Sequence, residues 1–172
     1  MRLLLIVLLF STNVFSQSLT EKEINAYVTT IDSLRENNTL IKYWYPQIHY
    51  CGGSVYGYYL NDTLVYIESK YSAELGYTEE TVYLFNDIYY KVIFYAHQAE
   101  WGKYKNDPDF DESKMTYTDT TYTIIFSEKI IFKKYSGNKL LSETADSELI
   151  TDLLNCGQMM KEFLDKEKIN AE

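Results

Sequence analysis

Two Asn-Asp pairs constrain the fold of this chain more than any other feature of its sequence. Asn61-Asp62 and Asn86-Asp87 occur 25 residues apart, each between two short runs rich in β-branched and aromatic residues. Asparagine and aspartate tolerate the left-handed backbone that a two-residue hairpin turn requires. The sequence therefore predicts two similar β-hairpins. Their strands are expected at Val55–Leu60 with Thr63–Glu68, and at Thr81–Phe85 with Ile88–Tyr95.

The sheet is expected to continue beyond these hairpins. Thr121–Phe126 and Lys129–Tyr135 are joined by Ser127-Glu128, which predicts a third hairpin without an Asn-Asp turn. The polar residues 136–138 predict another turn, followed by a short edge strand at Leu140-Leu141. Because each strand follows the last after a short turn, we expect an antiparallel β-meander of six or seven strands.

A helix is expected on each side of this sheet region in the sequence. Thr20 and Glu23 form a capping-box pattern ahead of apolar residues at helical spacing, and Asn37-Asn38 ends that pattern. A second apolar stripe begins after Thr144 or Asp146 and recurs at three- and four-residue steps. Helices at both ends of a run of strands are typical of the α+β class. We therefore expect the helices to cover one face of the sheet, with the C-terminal helix packed on it and the other face left to solvent or a partner. The second stripe consists of Leu149, Leu153, Cys156, Met160 and Phe163.

The first residues have the pattern of an export signal. Arg2 precedes an apolar run from Leu3 to Phe10, and Ser16 provides a small residue ahead of Gln17. A charged start, a short apolar segment and a small residue at the cleavage position are typical of a secretory signal peptide. The sequence therefore predicts a signal peptide at residues 1–16, a single α+β domain at 17–172, and a secreted or periplasmic protein without stable membrane insertion after cleavage.

Composition narrows the classes of partner. The chain carries a formal charge of −9 at pH 7, and removal of Arg2 would make it one unit more negative. An acidic surface repels phosphate backbones, so we expect no nucleic-acid partner. Eighteen tyrosines, eight phenylalanines and two tryptophans provide enough apolar area for an ordered core.

The two cysteines of the chain are Cys51 and Cys156. An even number of cysteines in an exported protein favours a disulfide, here between the start of the sheet and the C-terminal helix. Two separately buried thiols are the alternative. The acidic segment 106–112 resembles the opening of a calcium loop, but Glu112 stands where the turn glycine is needed. We expect neither a metal site nor a cofactor.

Tyrosines provide the main candidate for a binding surface. Alternation along the strands predicts Tyr56 and Tyr58 on one face, and Tyr89 and Tyr95 on the more polar face of their strand, continued by His97. Exposed tyrosines are common at interfaces because each buries a large area and keeps a hydrogen-bonding tip. The alternative is that these residues are half-buried strand residues. The five form our candidate binding set.

The sequence favours a non-enzymatic binding module that presents this tyrosine-rich face to a protein or glycan, for example as an inhibitor. Two alternatives remain. His97 and Glu100 could form part of a small secreted hydrolase, although no nucleophile motif accompanies them. A free sheet edge could instead serve an envelope structural or assembly role.

Overall fold

The protein is described by a computed structural model, which covers residues 19–47, 52–73, 75–104, 111–145 and 147–171. The expected signal peptide and Cys51 lie outside the described residues. Within these ranges two α-helices flank eight strands, and two short 3-10 turns lie between the fifth and sixth strands. The helices are α1 (Glu21–Glu36) and α2 (Ser147–Ala171), and the strands are β1 (Ile41–Gln47), β2 (Gly53–Leu60), β3 (Thr63–Ala73), β4 (Gly76–Phe85), β5 (Ile88–Ala99), β6 (Tyr117–Phe126), β7 (Ile130–Ser136) and β8 (Lys139–Ser142).

All eight strands form one sheet in the order β1 to β8, and every neighbouring pair is antiparallel. The α+β class and the meander are thus confirmed, but the expected number of six or seven strands is wrong. The strand that the sequence pattern missed is β1, which contains Pro46 and lacks a clear polar–apolar alternation. Proline is tolerated there because β1 is an edge strand.

The two Asn-Asp turns have the predicted backbone. Asn61, Asp62, Asn86 and Asp87 all have φ between +49° and +65°. Positive φ at both central residues is the requirement of a type I′ turn, whose twist matches that of the flanking strands. The two predicted hairpins are therefore β2–β3 and β4–β5, and both are longer than the sequence pattern indicated.

The similarity of the two hairpins extends to a bulge that the sequence did not reveal. The register shifts between Tyr58 and Tyr59 in β2 and between Tyr83 and Leu84 in β4, which are again 25 residues apart. A third shift follows Lys134 in β7, next to the turn at Gly137. Each bulge inserts one unpaired residue into the returning strand and so reverses the faces of the residues near the turn.

The first helix covers one half of one sheet face. Its capping box is formed, because the Glu23 carboxylate accepts a hydrogen bond from the Thr20 backbone N–H at 2.9 Å. Three apolar residues of α1 are buried on the sheet against a line of tyrosines from β2, β3 and β4. The residues of α1 are Ile24, Val28 and Ile31, and the tyrosines are Tyr58, Tyr66 and Tyr83.

The second helix packs on the opposite face. Met160 and Leu164 join the core formed by β2 to β5, while Leu153 packs with Ile124 and Phe132 of β6 and β7. The expectation that both helices cover one face is therefore wrong. The physical reason is that the strands carry apolar residues on both faces, so each face needs its own cover. Neither face is fully open, so an exposed site on a sheet face must lie outside the area that its helix covers.

Candidate functional site

A group of partly exposed aromatic residues lies on the α1 side of the sheet, beyond the area that α1 covers. The register places Tyr77 of β4 opposite His97 of β5, and His97 opposite Asp119 of β6. Residues paired across antiparallel strands point to the same face. Tyr95 lies two positions from His97 along β5, and Tyr117 lies two positions from Asp119 along β6. Both side chains therefore share that face. We call these five residues the open aromatic face.

The rings of Tyr77, His97 and Tyr117 stack face to face in a row, with His97 in the middle. The His97 ring lies 4.7 Å from the Tyr117 ring at an interplanar angle of 8°, and 5.1 Å from the Tyr77 ring at 27°. Beyond Tyr77, the ammonium group of Lys70 lies 4.2 Å from the ring centroid, and it also binds Glu79 at 2.7 Å. Because the faces of His97 are covered by its neighbours, the stack presents ring edges and polar tips to solvent.

Asp119 connects these rings through hydrogen bonds. Its Oδ1 atom accepts a hydrogen bond from the Tyr95 hydroxyl at 2.8 Å and lies 2.7 Å from Nδ1 of His97. The hydrogen bonds from His97 and then Tyr95 lower the pKa of Asp119, and the bond to Asp119 raises the pKa of Tyr95. Since an ionised carboxylate only accepts, Nδ1 of His97 carries a proton and donates it to Asp119.

The five residues predicted from the sequence do not form one surface. Tyr95 and His97 belong to the open aromatic face, and Tyr56 and Tyr58 lie on the same side of the sheet. Tyr58, however, is only 6% exposed and its hydroxyl binds Glu68 at 3.1 Å, so it is part of the core beside α1. Tyr56 is half-buried, with the Lys42 ammonium 3.8 Å from its ring centroid.

Tyr89 lies on the opposite face. Its ring packs against the core under α2, and its hydroxyl donates to Gln158 of α2 at 3.1 Å. The cause is the bulge in the β4–β5 hairpin, where Leu84 pairs with Tyr89 and Tyr83 with Lys91. Simple alternation through that point assigns Tyr89 to the wrong side.

The predicted pairing of His97 with Glu100 is not formed. The carboxylate of Glu100 binds Lys103, Thr116 and Thr118 instead. These hydrogen bonds, led by the one from Lys103, lower the pKa of Glu100 to about 2. The residue therefore anchors the connection between β5 and β6, and the acidic partner of His97 is Asp119.

Sequence reasoning missed Tyr77, Tyr117 and Asp119. Each lies outside the strand segments predicted from apolar runs, because β4 begins earlier and β6 begins at Tyr117. The signal that could have found them is the strand register, which places His97 between Tyr77 and Asp119. Register between strands joined by a long connection is not encoded in local periodicity.

A shallow depression of about 310 Å³ adjoins the open aromatic face at the turn between β3 and β4, but His97 does not line it. Gly76 borders this depression with φ of +150°, and a Cβ atom there would lie 2.0 Å from the His97 carbonyl oxygen. Glycine is thus required for the close approach of β4 to β5 at this point. The lining includes Tyr71, Leu75, Tyr77 and Gln98.

The described part of the chain contains no group of three or more His, Cys, Asp or Glu residues arranged to hold a metal ion. Most of the acidic segment 106–112 lies outside the described residues. Among the helices described, none is both long and apolar enough to cross a membrane. Only Cys156 of the two cysteines falls within the described ranges, so its pairing with Cys51 remains a prediction.

Comparison with known proteins does not assign the chain to a family. No family model, curated protein or solved structure matches it. Any function must therefore be argued from the site itself.

Proposed function

We propose that this chain is an exported, non-enzymatic binding module that recognises a protein partner through the open aromatic face. The observation that carries the proposal is the stack of the half-buried Tyr77 and His97 with the exposed Tyr117, joined through His97 to a half-exposed carboxylate. Exposed aromatic residues with polar tips are enriched where proteins bind one another. The proposed export rests on the signal-peptide pattern of residues 1–16.

The geometry of the rings favours a protein over a glycan. Sugars bind by stacking on the broad face of an aromatic ring, whereas here both faces of His97 and one face each of Tyr77 and Tyr117 are occupied by neighbouring rings. The outer face of Tyr77 meets the Lys70 ammonium. A surface of ring edges, hydroxyl groups and one carboxylate, with one face of Tyr117 left uncovered by the described residues, suits the mixed apolar and polar contacts of a protein interface.

The interactions within the face support a binding role because they fix its shape before a partner arrives. Asp119 holds both Tyr95 and His97 by hydrogen bonds, and stacking restricts Tyr117. Side chains that are already ordered lose little conformational entropy on binding. The face therefore meets the requirement of preorganisation on a rigid sheet.

The test is capture of a partner from envelope and culture-medium extracts by the mature chain and two variants. One variant combines His97→Ala with Tyr117→Ser, and the control is Trp44→Ser at the distant β1 edge, where Trp44 is 57% exposed. We expect a partner that the wild type and the control retain and the site variant loses. Circular dichroism establishes that each variant is folded. Equal recovery by all three, or no recovery by any, would contradict the proposal.

A second candidate is a hydrolase based on His97 and Asp119, which replaces the predicted pair with Glu100. The 2.7 Å contact orients the imidazole, as a carboxylate orients the histidine in catalytic dyads. In the described residues, however, no serine or cysteine side chain is hydrogen-bonded to His97. If the protein hydrolyses a chromogenic ester and His97→Ala abolishes this activity, the result favours the hydrolase. Hydrolysis no faster than the uncatalysed background would exclude a hydrolase for esters.

A further inference from the structure

The hydrogen-bond pattern of the open aromatic face indicates which chemical group it accepts. Both donors to Asp119 meet the same oxygen, Oδ1. Within the described ranges the second oxygen, Oδ2, has no hydrogen-bond partner, and the side chain is 50% exposed. His97 is held at Oδ1 and therefore leaves Oδ2 unoccupied. The face thus offers a carboxylate acceptor to a partner that brings donors.

Among the described residues, a cation covers one end of the stack of rings and none covers the other end. The Lys70 ammonium covers the outer side of Tyr77 at 4.2 Å. At the other end, Tyr117 is 48% exposed, and no cation of the described chain lies over its ring. A cation placed there would complete at Tyr117 the arrangement that Lys70 already makes at Tyr77.

The negative charge of the chain favours a positively charged ligand at this face. The chain carries −9 at pH 7, and Lys70, the cation beside Tyr77, is already paired with Glu79. An anionic partner would meet repulsion at Asp119 and across the whole surface, whereas a basic partner would be attracted at long range.

We propose that the open aromatic face binds an arginine side chain of a basic protein segment, with the guanidinium stacked on Tyr117 and donating to Asp119. Arginine fits better than lysine because its planar group can stack on a ring while its N–H groups reach a carboxylate. The inference rests on the proposed function, since it names the chemistry of the partner at the same site.

The test uses a synthetic probe, the peptide acetyl-Gly-Arg-Gly-Arg-Gly-amide, and its counterpart with citrulline in place of arginine. Citrulline keeps the planar shape and loses the charge. Titration into the isotopically labelled mature chain is followed by NMR. We expect the arginine peptide to shift the signals of His97, Tyr117 and Asp119, and the citrulline peptide to bind at least tenfold more weakly. Equal binding of the two peptides, or shifts confined to other surfaces, would overturn the inference.

Two variants separate the contributions of charge and stacking. Asp119→Asn keeps the size of the side chain and removes its charge, and Tyr117→Leu removes the ring without disturbing Asp119. Each is expected to weaken binding of the arginine peptide about tenfold or more. Asp152→Asn on the exposed side of α2 is the control for net charge and should leave binding unchanged. An effect of Asp152→Asn equal to that of Asp119→Asn would reduce the interaction to general electrostatic attraction and overturn the inference.

Failure of this inference is distinguishable from failure of the proposed function. If a partner is captured through His97 and Tyr117 but the arginine peptide does not bind there, the face is a binding surface for other chemistry and the inference is wrong. If the peptide binds at Tyr117 and Asp119 but no partner depends on these residues, the inference holds for the site and the proposed function fails.

Discussion

Glu80 carries a carboxyl group into the core between the sheet and α2. It is 3% exposed, and a Cβ atom at Gly157 of α2 would lie 3.9 Å from its Oε1 atom. Within the described residues Oε1 has no hydrogen-bond partner, and neither has Oγ of Ser69, the residue opposite Glu80 on β3. Burial raises the pKa of Glu80 to about 8, because the charged form loses its hydration.

This carboxyl group should make stability depend on pH. Its ordinary pKa of 4.5 lies below the value of about 8 in the folded protein, so the folded state holds the proton more tightly. The contribution to stability is complete below pH 4.5 and is lost as the pH rises to about 8, at up to about 1.4 kcal/mol per pH unit. Glu80→Gln cannot ionise, so its stability relative to wild type should increase over that interval.

Urea denaturation of wild type and Glu80→Gln between pH 5 and 9 measures this difference. Glu79→Gln is the matched control, since Glu79 is the exposed neighbour that binds Lys70. A constant difference between wild type and Glu80→Gln across the whole range would contradict an unpaired buried carboxyl group at this position.

At the scale of elements, the turns are the features most directly encoded in the sequence. Asn86 has φ of +49°, and Asn138, in the β7–β8 turn, is not among the residues with positive φ. Asn86→Ala should therefore cost about 1 kcal/mol of unfolding free energy, because alanine is disfavoured in the left-handed region. Asn138→Ala, the control, should have a smaller effect. Urea denaturation of both variants measures the loss of unfolding free energy. Equal losses would argue against a type I′ turn at Asn86.

Local sequence patterns predict the features that neighbouring residues determine, and they miss the features that the alignment of strands determines. The capping box at Thr20 and the Asn-Asp turns are determined by residues close in sequence, so they could be predicted. The bulge that turns Tyr89 to the α2 side depends on how two strands align, which alternation along one strand does not contain. The same limit concealed the pairing of His97 with Asp119, which lie on strands separated by a long connection.

For the molecule as a whole, the placement of the helices on opposite faces decides which surface is free. The strands carry apolar residues on both faces, but which helix covers which face depends on tertiary packing. Since α2 covers the other face and α1 covers the tyrosines of β2 to β4, the open aromatic face lies beyond α1. Tyr117 is exposed because it lies outside the area that α1 covers, whereas Tyr58 is buried against α1.

The proposed export of this protein makes a further prediction for the whole chain. The mature protein should begin at Gln17 and contain a disulfide between Cys51 and Cys156, which would connect the segment before β2 to α2. Closing a loop of this length contributes about 4–5 kcal/mol in the chain-entropy model. Intact mass and thiol alkylation in denaturant test both points together. An N-terminus at Met1, or two alkylated thiols in protein purified without reductant, would contradict this account.

The most direct test of the central claim is photo-crosslinking from the open aromatic face in the producing cells. A photoreactive phenylalanine replaces either Tyr117 of β6 or Trp44 of the edge strand β1, which are 48% and 57% exposed. The account predicts that light joins a defined protein partner to the chain labelled at position 117, and that label at position 44 gives much less of this product. Equal products from both positions, or a product from position 44 alone, would contradict it.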